Sequence, residues 1–507
     1  MLRLPSRVVK ALSLAVAVVS TASACCIPPV LNGGQAKEAS PEPGWSSCTE
    51  EARKVLGRVP ENYSFQCRTV QVPQDWNNPG NGATMNISVV RARAGDQRDR
   101  IGSLLVNPGG PGGSGVDLAM FLTRGLPAEI TRRFDIVGFD PRGVGRSDPI
   151  QCYSASDLDA LFAADPDPAT QADYDEVVAL NKKMADACAA KYGPRLSLFS
   201  TEQAARDMDQ IRKEVGDEKL TYLGYSYGTL LGATYAQLFP DKIRALVLDG
   251  AVDPTLDSQS SAEGQAKGFE LAFSNFATWC TTNRGRCPVS GDAEAVVLKV
   301  MEQAREKAQV NRDGRRATPG WILWGVVSAM YSKASWPELG EALADLEDGN
   351  PAGIFALADD YARRDASGEY TNLFDANSAV NCADDGKPAS LTQIRGLQAQ
   401  WREQYPVFGT ALAMGMLTCS VWPAARDPYP AGAAQGAPPI LVVGTKGDPA
   451  TPYEQTPKLA AMLGVGVVLT WNGEGHTAYP ETSCITGIVN KYLVNLEVPK
   501  AGTTCPA

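Results

Sequence analysis

Gly224-Tyr225-Ser226-Tyr227-Gly228 is the stretch on which the reading of this chain turns. Leu220-Thr221-Tyr222-Leu223 before it is an apolar, β-prone run, and residues 229–239 after it continue in a pattern that suits a helix. A serine flanked by glycines at a strand-to-helix turn is lifted clear of the sheet, because glycine tolerates close backbone contact there. The helix that follows directs the positive end of its dipole at the same point, where negative charge would be stabilised. In a chain with 48 glycines a bare G-x-S-x-G is unremarkable. The strand–turn–helix setting is what makes Ser226 a candidate nucleophile rather than an ordinary turn serine.

Around this stretch the chain alternates. Short β-rich runs lie at residues 68–72, 85–91, 103–106, 134–139, 220–225 and 243–248, with helical stretches at 202–215 and 227–238. Several are near-continuous apolar runs, as expected for strands buried on both faces of a parallel sheet. From 253 to 430 the strand pattern stops, and the composition turns to Ala, Gln, Glu and Trp at helical spacing, as at 293–308 and 336–346. Strand-like runs return at 439–444 and 466–471, and a helix-like segment, 485–496, closes the chain. The pattern predicts an α/β fold whose core, residues 48–252 and 431–507, is interrupted by a mainly helical cap at 253–430.

A serine nucleophile needs a base, and the chain has one histidine, His476, in Gly473-Glu474-Gly475-His476-Thr477 just after a strand-like run. Two carboxylates compete to orient it. Asp448, in Gly444-Thr445-Lys446-Gly447-Asp448-Pro449, follows the preceding strand-like run; Asp249 ends the one after the nucleophile helix. Asp448 is preferred for its Gly/Pro-shaped loop. The order serine, acid, histidine is that of the α/β-hydrolase triad. Asn107-Pro108-Gly109-Gly110-Pro111-Gly112-Gly113-Ser114-Gly115 offers bare backbone amides to an anion. It lacks the Lys-Ser/Thr of a phosphate-binding loop, so an oxyanion hole formed by the amides of Gly110 and Tyr227 is the better reading.

The formal charge of −10 argues against nucleic acid and against attachment to anionic lipid through basic residues. Residues 1–24 read as an export signal: Arg3, Arg7 and Lys10, then an apolar run from 11 to 19, then Ala22-Ser23-Ala24. No other run approaches the about 18 apolar residues of a spanning helix. Cys25 stands where a bacterial lipoprotein carries its lipid, although Ala22 replaces the usual leucine, and residues 25–47 read as a tether. The protein is therefore expected to be secreted or lipid-anchored on the outer face of the cell membrane. The ten cysteines beyond Cys25 and Cys26 suit disulfides in an exported chain. Short loops close at least entropic cost, which pairs neighbours: Cys48–Cys67, Cys152–Cys188, Cys280–Cys287, Cys382–Cys419 and Cys484–Cys505. There is no C-x-x-C, so a zinc site is not expected, and the chemistry needs no metal or organic cofactor.

The segments N-P-G-G-P-G-G-S-G at 107–115, F-D-P-R-G-V-G-R-S at 139–147, G-Y-S-Y-G at 224–228 and G-D-P-A-T-P at 447–452 resemble the proline iminopeptidase-like α/β-hydrolases. Within that group the chain is most similar to secreted actinobacterial tripeptidyl aminopeptidases and related carboxylesterase-type lipoproteins, from about Cys48 to the C-terminus. The resemblance implies release of short peptides, tripeptides among them, from free N-termini, with Ser226, Asp448 and His476 as the triad. Asn107 departs from it, since the aminopeptidases carry histidine before Gly-Gly-Pro-Gly. An aminopeptidase must bind a cationic amine, for which Asp384 and Asp385 are the candidates, against a solvated acidic turn. Asp140 and Arg142 are expected to tie loops beneath the site by an ion pair. An esterase or thioesterase acting on lipid or small esters is the nearest rival, and a non-catalytic binding protein of the cell envelope a remote one.

Overall fold

The computed structural model describes residues 42–507. The expected export segment, Cys25 and most of the expected tether lie outside them. Ten strands form one sheet: β1 Ser46–Ser47, β2 Tyr63–Pro73, β3 Thr84–Ala94, β4 Gly102–Asn107, β5 Phe134–Phe139, β6 Leu220–Tyr225, β7 Ile243–Asp249, β8 Ile440–Gly447, β9 Gly466–Glu474 and β10 Thr503–Cys505. Their order is β1-β2-β3-β5-β4-β6-β7-β8-β9-β10. The β1–β2, β2–β3 and β3–β5 pairs are antiparallel, and the strands from β5 to β10 are mutually parallel.

Every residue of β4, β5 and β6 is buried, because helices cover both faces. Successive side chains alternate between two cores. Leu105, Tyr222, Leu246 and Val442 join the helices Thr201–Glu214 and Tyr227–Leu238 on one face. Leu104, Leu223, Val247 and Val443 join Gly115–Gly125 and Ser483–Asn495 on the other. Near-continuous apolar strands are the sequence signature of that two-sided burial.

The chain leaves β4 for β5 on one side and returns to β6 on the other. Such a reversal opens a crevice at the carboxyl ends of the strands. The glycine-rich loop after β4 and the Ser226 turn after β6 both open there.

The helical layer is broader than expected. Between 253 and 430 there are helices and no named strand, from Ser258–Thr282 to Leu417–Ser420. The helices Ala155–Ala163 and Gln171–Tyr192, inserted between β5 and β6, join them. Phe162 stacks on Trp321 at 5.4 Å, and Leu158, Phe162 and Met184 share one core with the cap helices. The tether is shorter than expected. Trp45 is buried beneath the Arg91 guanidinium, which lies 4.3 Å from its ring, and Arg91 also pairs with Glu42. β1 is hydrogen-bonded to β2, so residues 42–47 are docked. The five disulfides join the neighbours expected. No helix among the described residues is long and apolar enough to cross a membrane.

Two glycines set how closely the helix after β4 approaches the sheet. A Cβ on Gly138 would stand 2.0 Å from the Gly115 carbonyl oxygen, and one on Gly115 would stand 2.1 Å from that of Phe139. Gly138→Ala should therefore destabilise at the upper end of overpacking, about 3 kcal/mol. Gly487, in a helix with nothing near its Cβ position, should behave oppositely, gaining about 0.5–1 kcal/mol as alanine. Denaturant midpoints measured with disulfides intact decide this; equal effects would contradict the packing described.

Candidate active site

Ser226 joins β6 to the helix Tyr227–Leu238 with φ 57° and ψ −125°, a left-handed conformation for a residue with a side chain. Such geometry costs about 1–3 kcal/mol and persists only where neighbours impose it. Here the Ser226 amide donates to the Asp249 carbonyl at 2.9 Å. A Cβ on Gly224 would lie 2.3 Å from the Gly228 carbonyl oxygen, so the turn closes only with glycine there. Ser226 Oγ makes no hydrogen bond among the described residues and is left free to react.

His476 lies just past β9 between two positive-φ residues, Gly475 and Thr477. Its Nδ1 is 2.9 and 3.0 Å from the two oxygens of Asp448, with both side chains almost fully buried. Nδ1 held against a carboxylate leaves Nε2 as the nitrogen able to take a proton. Asp448 is fixed in turn by the amides of Ala450, Thr451 and Thr477 and by the Thr451 hydroxyl at 3.0 Å. Asp249, the other candidate acid, accepts the amides of Ala478 and Tyr479 and makes no hydrogen bond to the imidazole.

The loop after β4 packs against the serine turn. A Cβ on Gly109 would be 2.9 Å from both Ser226 Cβ and Tyr227 N. Asn107, the departure from the aminopeptidase pattern, braces this loop from within, as its Oδ1 accepts the Gly109 amide at 2.9 Å. The Gly110 and Tyr227 amides have no partner among the described residues, which suits two donors awaiting an oxyanion.

The expected Asp140–Arg142 ion pair is absent. Asp140 accepts from Ser114 Oγ and from the Val116 and Arg146 amides, anchoring the start of the helix after β4. Arg142 grips Asp207 with two hydrogen bonds and holds the carbonyls of Pro73, Gln74 and Leu198. Two apart in sequence, they point into different loops. Asp384 and Asp385 also diverge. Asp385 accepts the Lys387 amide in a local turn. Asp384 accepts from the Thr201 amide and hydroxyl, and that hydroxyl lies 2.6 Å from the Tyr227 phenol, one residue beyond Ser226. Burial, with a lesser effect of Asp427, pushes the Asp384 carboxyl up to about 7.

Sequence reasoning missed the cap's own contribution. The Tyr331 carbonyl accepts the His476 amide at 2.9 Å, and the Tyr331 ring stands edge-on to the imidazole at 5.2 Å. Asn377 Nδ2 donates to the Pro111 carbonyl at 3.0 Å, tying the cap helix Leu373–Asp384 to the glycine-rich loop. Thr451 was missed as well, although a hydroxyl three residues after Asp448, at turn spacing, is a signal that could have found it.

Asp448→Asn keeps the shape but presents the wrong group to Nδ1 and should lower kcat by about 10⁴-fold. Thr451→Val removes one hydrogen bond to a carboxylate, about 1.5–3 kcal/mol. If felt wholly in the transition state, that is about 10–100-fold in kcat. Steady-state kinetics on any cleaved substrate checks the ranking; a larger loss for Thr451→Val would overturn it.

Family models match twice: one described as the alpha/beta hydrolase fold over residues 102–289, and one described as TAP-like protein over 405–505. The chain is 36% identical to the serine protease Hip1 of Mycobacterium tuberculosis, over 97% of its own length and 96% of that protein's. Carboxylesterase B of the same organism is 35% identical, covering 92% and 90%. The tripeptidyl aminopeptidase of Streptomyces lividans is 31% identical, covering 87% and 83%. With these likenesses spanning nearly the whole chain, the protein belongs to the TAP-like α/β-hydrolases and is a serine hydrolase.

Proposed function

We propose that the protein is an exported peptidase that releases short peptides, tripeptides among them, from free N-termini by acyl transfer at Ser226. The observation that carries the reading is a strained serine with an unengaged hydroxyl, in a fold that also fixes one imidazole by both oxygens of Asp448. In this mechanism His476 Nε2 takes the Ser226 proton as Oγ attacks the scissile carbonyl, and the Gly110 and Tyr227 amides hold the oxyanion. The imidazolium, stabilised by Asp448, then protonates the leaving amine. Water, deprotonated by the same nitrogen, releases the acyl peptide and restores Ser226. Five disulfides favour an oxidising compartment and so support export.

Asp384 is assigned to the substrate's ammonium group. It sits on a cap helix that touches the glycine-rich loop through Asn377, and it connects through Thr201 to Tyr227. A three-residue product needs roughly 10 Å between the amine and the scissile carbonyl. The esterase reading is kept because of the likeness to carboxylesterase B, and the two separate on the amine.

Ser226→Ala should lower turnover by about 10³–10⁶-fold, and a fluorophosphonate should label Ser226 alone. A free-amine tripeptide anilide should be cleaved far better than its acetylated form, and Asp384→Asn should raise KM for the free form only. Asp384 is charged above about pH 7 and neutral below it. KM for the free-amine substrate should therefore rise as pH falls through 7, while KM for the acetylated one stays level. Equal cleavage of both forms by the parent enzyme would favour the esterase.

A further inference from the structure

Asp249 ends β7 and is fully buried. Its carbonyl accepts the Ser226 amide at 2.9 Å. Its carboxylate accepts the Ala478 amide at 3.0 Å on each oxygen and the Tyr479 amide at 2.7 Å. The next residue, Gly250, donates its amide to the Val443 carbonyl in β8, the strand that leads to Asp448. A Cβ on Gly250 would stand 3.4 Å from His476 Cε1 and 3.1 Å from Thr451 Oγ1. Two consecutive residues thus touch the serine turn, the acid loop and the histidine loop. The ionisable groups that face the carboxylate are Tyr225 on β6, Asp448 on the acid loop and Glu481 beyond the histidine. His476 lies alongside Gly250. None of the hydrogen bonds to Asp249 comes from a cationic side chain, and the two backbone amides are what hold its charge.

We propose that Asp249 is a positioning residue for the base: its unprotonated carboxylate grips the chain just beyond His476 and locks that loop to the backbone of Ser226. The proposal rests on the reading of Ser226 and His476 as nucleophile and base. A carboxylate offers acceptors to both amides, whereas a protonated acid or an asparagine turns a donor toward one of them. Burial pushes this carboxyl up to about 7. The grip is therefore present above that pH and lost as pH falls through it. An acid limb that already needs an unprotonated base should then steepen beyond the first power of proton concentration where Asp249 takes its proton.

The test is the rate at which a fluorophosphonate labels the full-length, oxidised protein from about pH 4.5 to 8.5, a readout that requires neither a peptide nor an ester substrate. The slope of log rate against pH on the acid limb should exceed one in the parent protein and should not exceed one in Asp249→Asn. The variant should also label about 10–100-fold more slowly at pH 8, in line with the loss of one hydrogen bond to a charged group. A parent slope of one overturns the proposal, whether or not the variant folds. So does a slope above one that Asp249→Asn leaves unchanged. His476→Ala labelling as fast as the parent would instead overturn the triad reading beneath it, and this proposal with it.

Discussion

The fold is organised around one strained residue. Ser226 is held at a positive φ between a strand buried on both faces and the helix that follows it. That conformation is unfavourable alone, so its surroundings must impose it. Gly224 and Gly109 leave room where a side chain would collide with backbone, and the Asp249 carbonyl fixes the serine amide. The reversal of strand order beside β4 places the glycine-rich loop against the same turn, so the proposed nucleophile and the proposed oxyanion donors are products of one topological feature.

The proposed base, His476, and its proposed acid, Asp448, come from the other end of the chain, after the helical insertion, and the cap helps to hold them. Gly268 of the helix Ser258–Thr282 lies so close to the Pro449 carbonyl that a Cβ would be 2.5 Å away, and Gln265 donates to the Ala450 carbonyl. Tyr331 and Ser332 engage His476 and Gly475. The cap is thus part of the frame that holds the proposed triad. A mutation in these cap helices should reach the chemistry through the acid and histidine loops, with no contact to substrate.

Much of this was legible because it rests on local rules. The apolar strands, the serine turn, the lone histidine on a glycine-rich loop and the neighbouring cysteines each carry their signal within a few residues. What the sequence hid depends on direction. Asp448 and Asp249 both follow strands, and only the packing shows that one faces the imidazole and the other the backbone beyond it. Asp140 and Arg142 are two apart yet serve separate loops. The helices Ala155–Ala163 and Gln171–Tyr192 were missed, although Leu158, Leu161 and Phe162 in the first and Tyr174, Val177, Val178, Met184 and Cys188 in the second recur at helical spacing. Their few large side chains, such as Phe162 and Met184, find their partners in the cap, far away in sequence. Trp45 makes the same point: a lone aromatic in a Pro/Gly-rich stretch carries no period, and its partner Arg91 is a strand away.

Whether Ser226 and the two amides work together as described can be seen in a crystal structure of the fluorophosphonate adduct. Phosphorus should be bonded to Ser226 Oγ, with one phosphonyl oxygen about 2.7–3.1 Å from both the Gly110 and Tyr227 amides and the imidazole still held by Asp448. An adduct on another residue, or an oxygen turned away from both amides, would contradict this.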